Sequence, residues 1–202
     1  MAAIAERISP QEYLELERKS ATKHEYINGW MVEIAGASRK HNLIVGNIIY
    51  VVMSQLRGRS GEAYPSDMRI CVPATGLYTY PDVTVVADKA ELEDAANDIL
   101  LNPTIIFEVL SSATEGYDRG EKFQNYRTVE SLQEYVVVAQ DTYHVEHFVR
   151  QPNGQWLFSE TSSLNETIHL PSVGCDLPLA EIYNKVEIST GSDNHRMNGR
   201  VE

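Results

Sequence analysis

Cysteine and positive charge are what this sequence has least of. It holds two cysteines, Cys71 and Cys175. Two thiols cannot complete a metal site alone, and nothing around them suggests an oxidising compartment. Lys and Arg number 17 against 29 Asp and Glu, a formal net charge of −12. A broad phosphate-binding surface needs Lys and Arg to displace counterions, so this balance argues against one. It does not exclude a nuclease, because metal ions can bring positive charge to an acidic cleft.

Long hydrophobic runs are also missing. None approaches the ~20 residues that a membrane helix needs. The opening MAAIAERISPQEYLELERKS becomes charged too early for a secretory signal, so a cytoplasmic protein without a membrane partner is expected. No glycine-rich phosphate loop is present, since ATGLY and GRSGE lack the lysine and the spacing. Ser111-Ser112 follow an apolar run but lack the glycines of a nucleophile elbow.

What is there reads as one ordinary globular domain. The chain has 202 residues, 43% hydrophobic and 23% charged, enough to close a core without staples. SPQEYLELE opens a short helix, about 10–19, with Ser9 as cap, Pro10 in the first turn and Glu12 closing a capping box. Asn28-Gly29 between Tyr26-Ile27 and Trp30-Met31-Val32 predicts a tight hairpin. Leu43, Ile44, Asn47, Ile48, Val51 and Leu56 recur at helical spacing, predicting a helix from His41 to about Arg57 that Gly58 stops.

SDMRICV, PDVTVVAD and PTIIFEVLS read as strands, with the acidic KAELEDAANDILLN between the last two as a solvated surface helix or loop. YDRGEKFQNYRTV predicts a helix capped by Asp118. EYVVVAQ, HVEHFVR and WLFSETSS then form a meander, followed by IHL and a short LPLAEIYNKV segment. The expected organisation is a single α/β domain with a mixed sheet over 1–187, and a polar, disordered tail over 188–202.

Two acids interrupt strands that otherwise look dry. In YPDVTVV, Asp82 shares a face with Thr84 and Val86, while in PTIIFEVLS, Glu108 shares one with Ile106 and Leu110. A helix on each side of the sheet would explain the apolar residues on both faces of each strand. If the strands are antiparallel neighbours, both acids reach the same end, where a pair of carboxylates can hold a hard divalent cation. Taken singly, each acid reads as a solvated edge residue or an ion-pair partner. Lys122 shares a helical stripe with Tyr126 and Val129 and so reaches inward over the sheet; the plainer alternative lays its stem on apolar surface with the amine in water. His144 and His147 of HVEHF point to opposite strand faces and read as solvent-facing, not as a zinc motif.

These stretches, with YPDVTVV, KHEYINGWMVEIAGASRKHNLIVGNI and above all PTIIFEVLSSATEGYDRGEKFQNYRTVESLQEYVVV, resemble the Uma2 family, the former DUF820. The resemblance runs from about Ser9 to Val186. It implies the PD-(D/E)xK restriction endonuclease-like fold, of α/β (α+β) class, with a central mixed β-sheet flanked by helices. It also implies a Mg²⁺ or Mn²⁺ cofactor and phosphodiester hydrolysis in DNA. Asp82 and Glu108 match the two acids, and the carbonyl of Val109 would be a further metal ligand. The usual lysine slot, two residues after the second acid, holds Leu110, and Lys122 looks like its migrated replacement. Glu25 and His41 are secondary candidates: Glu25 reads equally as a surface acid beside Lys23, and His41 first as a solvent-facing helix-start residue. Two readings compete with a DNA nuclease: a nuclease-fold binding module that has lost hydrolysis, and a two-carboxylate glycosidase, which little else in the sequence favours. A homodimer is expected only from the two-fold symmetry common among enzymes that cut both strands.

Overall fold

A computed structural model describes residues 7–111 and 114–188. Helix α1 (Pro10–Glu17) has the expected capping box: the Ser9 hydroxyl accepts from the Glu12 N–H, and the Glu12 carboxylate accepts from the Ser9 N–H at 2.8 Å. Strands β1 (His24–Ile27) and β2 (Trp30–Glu33) pair with Ile27 opposite Trp30. The two turn residues, Asn28 at φ 52° and Gly29 at φ 91°, both lie in the left-handed region. That is the geometry a two-residue hairpin needs to match strand twist. Helix α2 (Arg39–Leu56) starts two residues earlier than expected because Ser38 caps it, accepting from the His41 N–H at 3.1 Å.

Next come β3 (Glu62–Pro65), β4 (Arg69–Val72), β5 (Leu77–Thr79), β6 (Val83–Val86), β7 (Ile99–Leu100) and β8 (Ile105–Leu110). The acidic segment before β7 contains no helix. It is a loop whose Asp94 and Asp98 clasp Arg18 at 2.7 and 2.9 Å. After β8 a broken helix runs as α3 (Glu115–Tyr117), a π-helical turn (Asp118–Lys122) and α4 (Phe123–Tyr126). Its cap position is Thr114, so Asp118 is not the cap expected from the sequence but lies inside the helix. Strands β9 (Glu134–Ala139), β10 (Val145–Arg150) and β11 (Trp156–Thr161) form the meander. The hairpin β12 (Thr167–Leu170) and β13 (Cys175–Pro178) and helix α5 (Leu179–Ile182) close the chain. Of the expected tail, 189–202 lies outside the described residues, as does Ser112.

The main sheet has the order β11-β10-β9-β8-β6-β3 and is mixed. β6 and β8 are antiparallel, whereas β8 and β9 are parallel, because the broken helix between them supplies the crossover that parallel neighbours require. A second sheet, β2-β1-β5-β4-β7, stands apart from it.

The alternation read from the sequence sorts the main sheet into two cores. Val83, Val85, Ile105, Phe107 and Val109 pack under Ile44, Ile48 and Val52 of α2. Val86, Ile106, Leu110 and Val137 face Ile70, Val72 and Leu77 of the second sheet and Tyr126 of α4. One face is thus covered by a helix, the other by a sheet together with the broken helix. Ile105, Ile106 and Phe107 are fully buried, each contributing about 1.5–3 kcal/mol. Pulling β8 from the sheet would forfeit both cores at once.

His147 departs from its solvent-facing expectation. Its Nε2 lies 2.6 Å from Oε2 of the fully buried Glu134, whose other oxygen accepts the Ser172 N–H at 2.8 Å. Ser172 sits in the β12–β13 connection, so that hairpin covers the strand face the sequence left open. His144 is half-buried, 3.0 Å from the Ser162 hydroxyl.

Candidate active site

Asp82 stands immediately before β6, whose register with β8 sets Val83 opposite Phe107. Continuing that register by one residue sets Asp82 opposite Glu108. Both carboxylates therefore reach one end of the central strands. Asp82 Oδ2 accepts the Val109 N–H at 2.7 Å and lies 3.1 Å from His41 Nε2. His41 is on the inward face of α2 in line with Ile44 and Ile48, so it is half-buried against the site and not turned to solvent. The N–H and C=O of one strand residue point to the same side, which aims the Val109 carbonyl toward Asp82 as well.

Glu108 is 3% exposed. Its Oε1 accepts from Lys122 Nζ at 2.9 Å and from the Tyr126 hydroxyl at 2.7 Å. The stripe of Lys122, Tyr126 and Val129 faces inward as its spacing predicts, and Lys122 is itself 7% exposed. Glu25, from β1 in the other sheet, places Oε1 3.5 Å from the same ammonium, and Asp118 places Oδ1 at 3.5 Å. Thr79 donates to Glu25, and the Tyr117 hydroxyl is 3.4 Å from its second oxygen. Strands of both sheets and the broken helix thus converge on one lysine.

The electrostatics follow from burial and from an excess of acids. Burial drives the Glu108 carboxyl up to about 8, against the pull of Lys122, and Asp82 and Asp118 push the same way. Burial raises Asp118 too, again opposed by Lys122. Burial alone would discharge Lys122, but Glu108, Tyr126, Glu25 and Asp118 outweigh it and hold the ammonium well above its ordinary value. Glu25, Asp82, Glu108 and Asp118 surround one lysine and one histidine, so the cluster has more potential negative charge than its cations offset.

The donor set suits a hard cation in one specific way. Among the described residues, no three His, Cys, Asp or Glu side chains form a ready metal cage. Asp82 Oδ1 and Glu108 Oε2, however, carry no hydrogen bond among the described residues, although their sister oxygens are engaged. Two free carboxylate oxygens and a main-chain carbonyl, completed by water, match the few protein ligands that Mg²⁺ takes.

All five sequence-predicted side chains, Glu25, His41, Asp82, Glu108 and Lys122, meet here. Sequence reasoning missed Asp118, Tyr117, Thr79 and the direct bond from Tyr126. Asp118 had a visible signal, since it stands four residues before Lys122 and thus on its face of the helix. Thr79 and Tyr117 had none, because only the meeting of the two sheets brings them in.

A mixed sheet with two acids at one end and a lysine from the following helix belongs to the nuclease-like class of folds. The backbone is similar to the crystal structure of a putative nuclease belonging to DUF820 from Anabaena variabilis ATCC 29413, with a TM-score of 0.72 over 87% of this chain and 97% of that one, at 18% identity. Residues 10–180 match the family model Uma2, described as "Putative restriction endonuclease". The chain belongs to the Uma2 family. Two relatives from Synechocystis sp. (strain ATCC 27184 / PCC 6803 / Kazusa) are both named as uncharacterized proteins. Protein sll1609 is 36% identical over 83% of this chain and 95% of its own length. Protein slr1290 is 31% identical over 88% and 92%.

Proposed function

We propose that this protein is a divalent-metal-dependent endonuclease that hydrolyses phosphodiester bonds in DNA, with Asp82, Glu108 and the Val109 carbonyl as ligands for Mg²⁺ or Mn²⁺. The observation that carries the reading is the convergence of Asp82, Glu108 and Lys122 from three separate elements, within a family whose model is described as "Putative restriction endonuclease". When bound, the cation supplies a lowered pKa for an attacking water and charge neutralisation at the phosphate.

The chain's own residues do the rest. His41 and the Val109 N–H hold Asp82 Oδ2, leaving Oδ1 without a hydrogen bond among the described residues. Tyr126 fixes Glu108 through Oε1 in the same manner. Lys122 occupies the place that Leu110 vacates in the usual lysine slot. Its ammonium, held charged by Glu108, Glu25 and Asp118, orients the water and stabilises the negative charge that develops on the phosphate oxygens. Glu25 and Asp118 keep Lys122 charged and in position.

The test is cleavage of circular and linear DNA by the purified full chain with Mg²⁺ or Mn²⁺. Asp82→Ala and Glu108→Ala should each abolish cleavage while the protein stays folded, and Lys122→Ala should lower the rate by at least a hundredfold. A folded protein that binds DNA and cuts no substrate with either metal would favour the inactive binding module. Full activity in Lys122→Ala would remove the migrated-lysine assignment.

A further inference from the structure

The outer face of α2 differs from the rest of this acidic surface. No acid stands between Glu33 and Glu62 in a chain with 29 of them. Arg39, Asn42, Gly46, Tyr50, Met53 and Arg57 follow at steps of three and four residues, and all six are exposed. They form one outward stripe, opposite the Ile44 and Ile48 face that meets the core. At 1.5 Å per residue the stripe is about 27 Å long.

Its ends and its middle have different chemistry. Among the described residues, Arg39 and Arg57 make no ion pair, whereas Lys40 is held by Asp141 at 3.0 Å. Tyr50 is 73% and Met53 44% exposed, unusually bare for such side chains. Gly46 lies one turn before Tyr50, where the tyrosine side chain leans. A Cβ there would meet nothing within 4 Å, so packing does not demand the glycine, which costs a mid-helix position about 1 kcal/mol against alanine. The surface around Gly46 is open. Beyond, Arg57 and Arg59 join Tyr50, Met53 and Ser54 around a cleft of about 400 Å³. The other end of α2 carries His41 on the inward face, 3.1 Å from Asp82.

We infer that this face is a track for an unpaired DNA strand, with single-stranded DNA, or an unpaired flap, as the nucleic acid it takes. The inference rests on the nuclease reading for the choice of DNA and not for the binding surface. Backbone phosphates need cations, and α2, itself free of acids, presents Arg39 and Arg57 without an ion pair among the described residues. A bare aromatic is a stacking platform for a base, which a duplex keeps stacked on its neighbours. A second copy of the chain fits less well. Two α2 helices packed antiparallel about Ile48 would set Arg39 of one copy against Arg57 of the other at both ends, which is repulsive.

Fluorescence anisotropy of the full chain in excess chelator tests this separately from cleavage. The probes are a labelled oligothymidylate of about 20 nucleotides and a duplex of the same length. The oligothymidylate should bind tighter than the duplex. Arg39→Glu with Arg57→Glu should weaken it at least tenfold and flatten the slope of log K against log salt by about 1.4, for two lost phosphate contacts. Tyr50→Ala should weaken it about tenfold and leave duplex binding unchanged. Leu157→Ser, on the exposed edge strand β11, should change neither. Oligothymidylate affinity within twofold of wild type in the Arg and Tyr50 variants overturns the inference, as does a preference for duplex. Conversion of a wild-type dimer to monomers by Met53→Glu, with DNA binding unchanged, also overturns it and makes the face a contact between copies. If the strand binds through this face but wild type cleaves nothing with Mg²⁺ or Mn²⁺, the track stands and the nuclease reading fails.

Discussion

Ionising Glu108 in the metal-free protein should cost stability, by an amount that can be worked out. Its carboxyl is ordinarily half-ionised at 4.5 and is driven to about 8 in the fold, first by burial. For an acid raised in the folded state, the native protein binds more protons than the unfolded chain between those two values. Stability is therefore fully present below about pH 4.5 and is lost as pH rises through about 8. At about 1.4 kcal/mol per unit, the whole shift amounts to about 5 kcal/mol, spread over that window. Glu108→Gln removes this titration while keeping the side chain's shape. Its absolute stability will differ, because the amide changes the hydrogen bonds at Lys122 and Tyr126, so the informative quantity is the difference in slope. Urea midpoints of wild type and Glu108→Gln, in chelator at pH 5, 6.5 and 8, should show wild type losing about 1 kcal/mol per pH unit relative to the variant. Parallel profiles would refute the reasoning, since they would mean that Glu108 is ionised throughout and that its burial is offset by Lys122.

Three further outcomes follow from the same geometry. Tyr126→Phe removes a hydroxyl that donates to buried Glu108 and should cost about 1–3 kcal/mol in urea unfolding, while moving the Glu108 titration to still higher pH. Mn²⁺ should raise the melting temperature of wild type but not of Asp82→Ala, a calorimetric readout independent of cleavage. Glu134→Ala strands His147 and the Ser172 N–H inside the protein; a loss of about 3–5 kcal/mol is expected, and a loss below 1 kcal/mol would show that the site is hydrated.

Local patterns carried much of the architecture. Ser9 with Glu12, Asn28-Gly29, and the spacing of Ile44, Ile48 and Val51 each determine backbone geometry within a few residues, so they are legible without the rest of the chain. The two-residue period of PDVTVV and TIIFEVL also sorted Val83 and Phe107 from Val86 and Ile106 correctly, because strand faces alternate whatever covers them. The strands EAYP and LYT carry too little local signal at four and three residues, and only pairing with β6, and with β1 and β4, defines them. The acidic segment took loop form through Arg18, a residue about 80 positions away.

By itself, then, the sequence determined which residues lie on which side of each element, and that two acids and one lysine face inward. Tertiary structure decided what those faces meet. Antiparallel pairing of β6 with β8 set Asp82 opposite Glu108, where either acid alone would read as an edge residue. Packing of the second sheet brought Glu25 and Thr79 to Lys122, and the β12–β13 hairpin buried His147. The physical reason is range. Periodicity and capping act over a few residues, whereas the Glu108 proton depends on burial and on charges delivered from elements far apart in the chain.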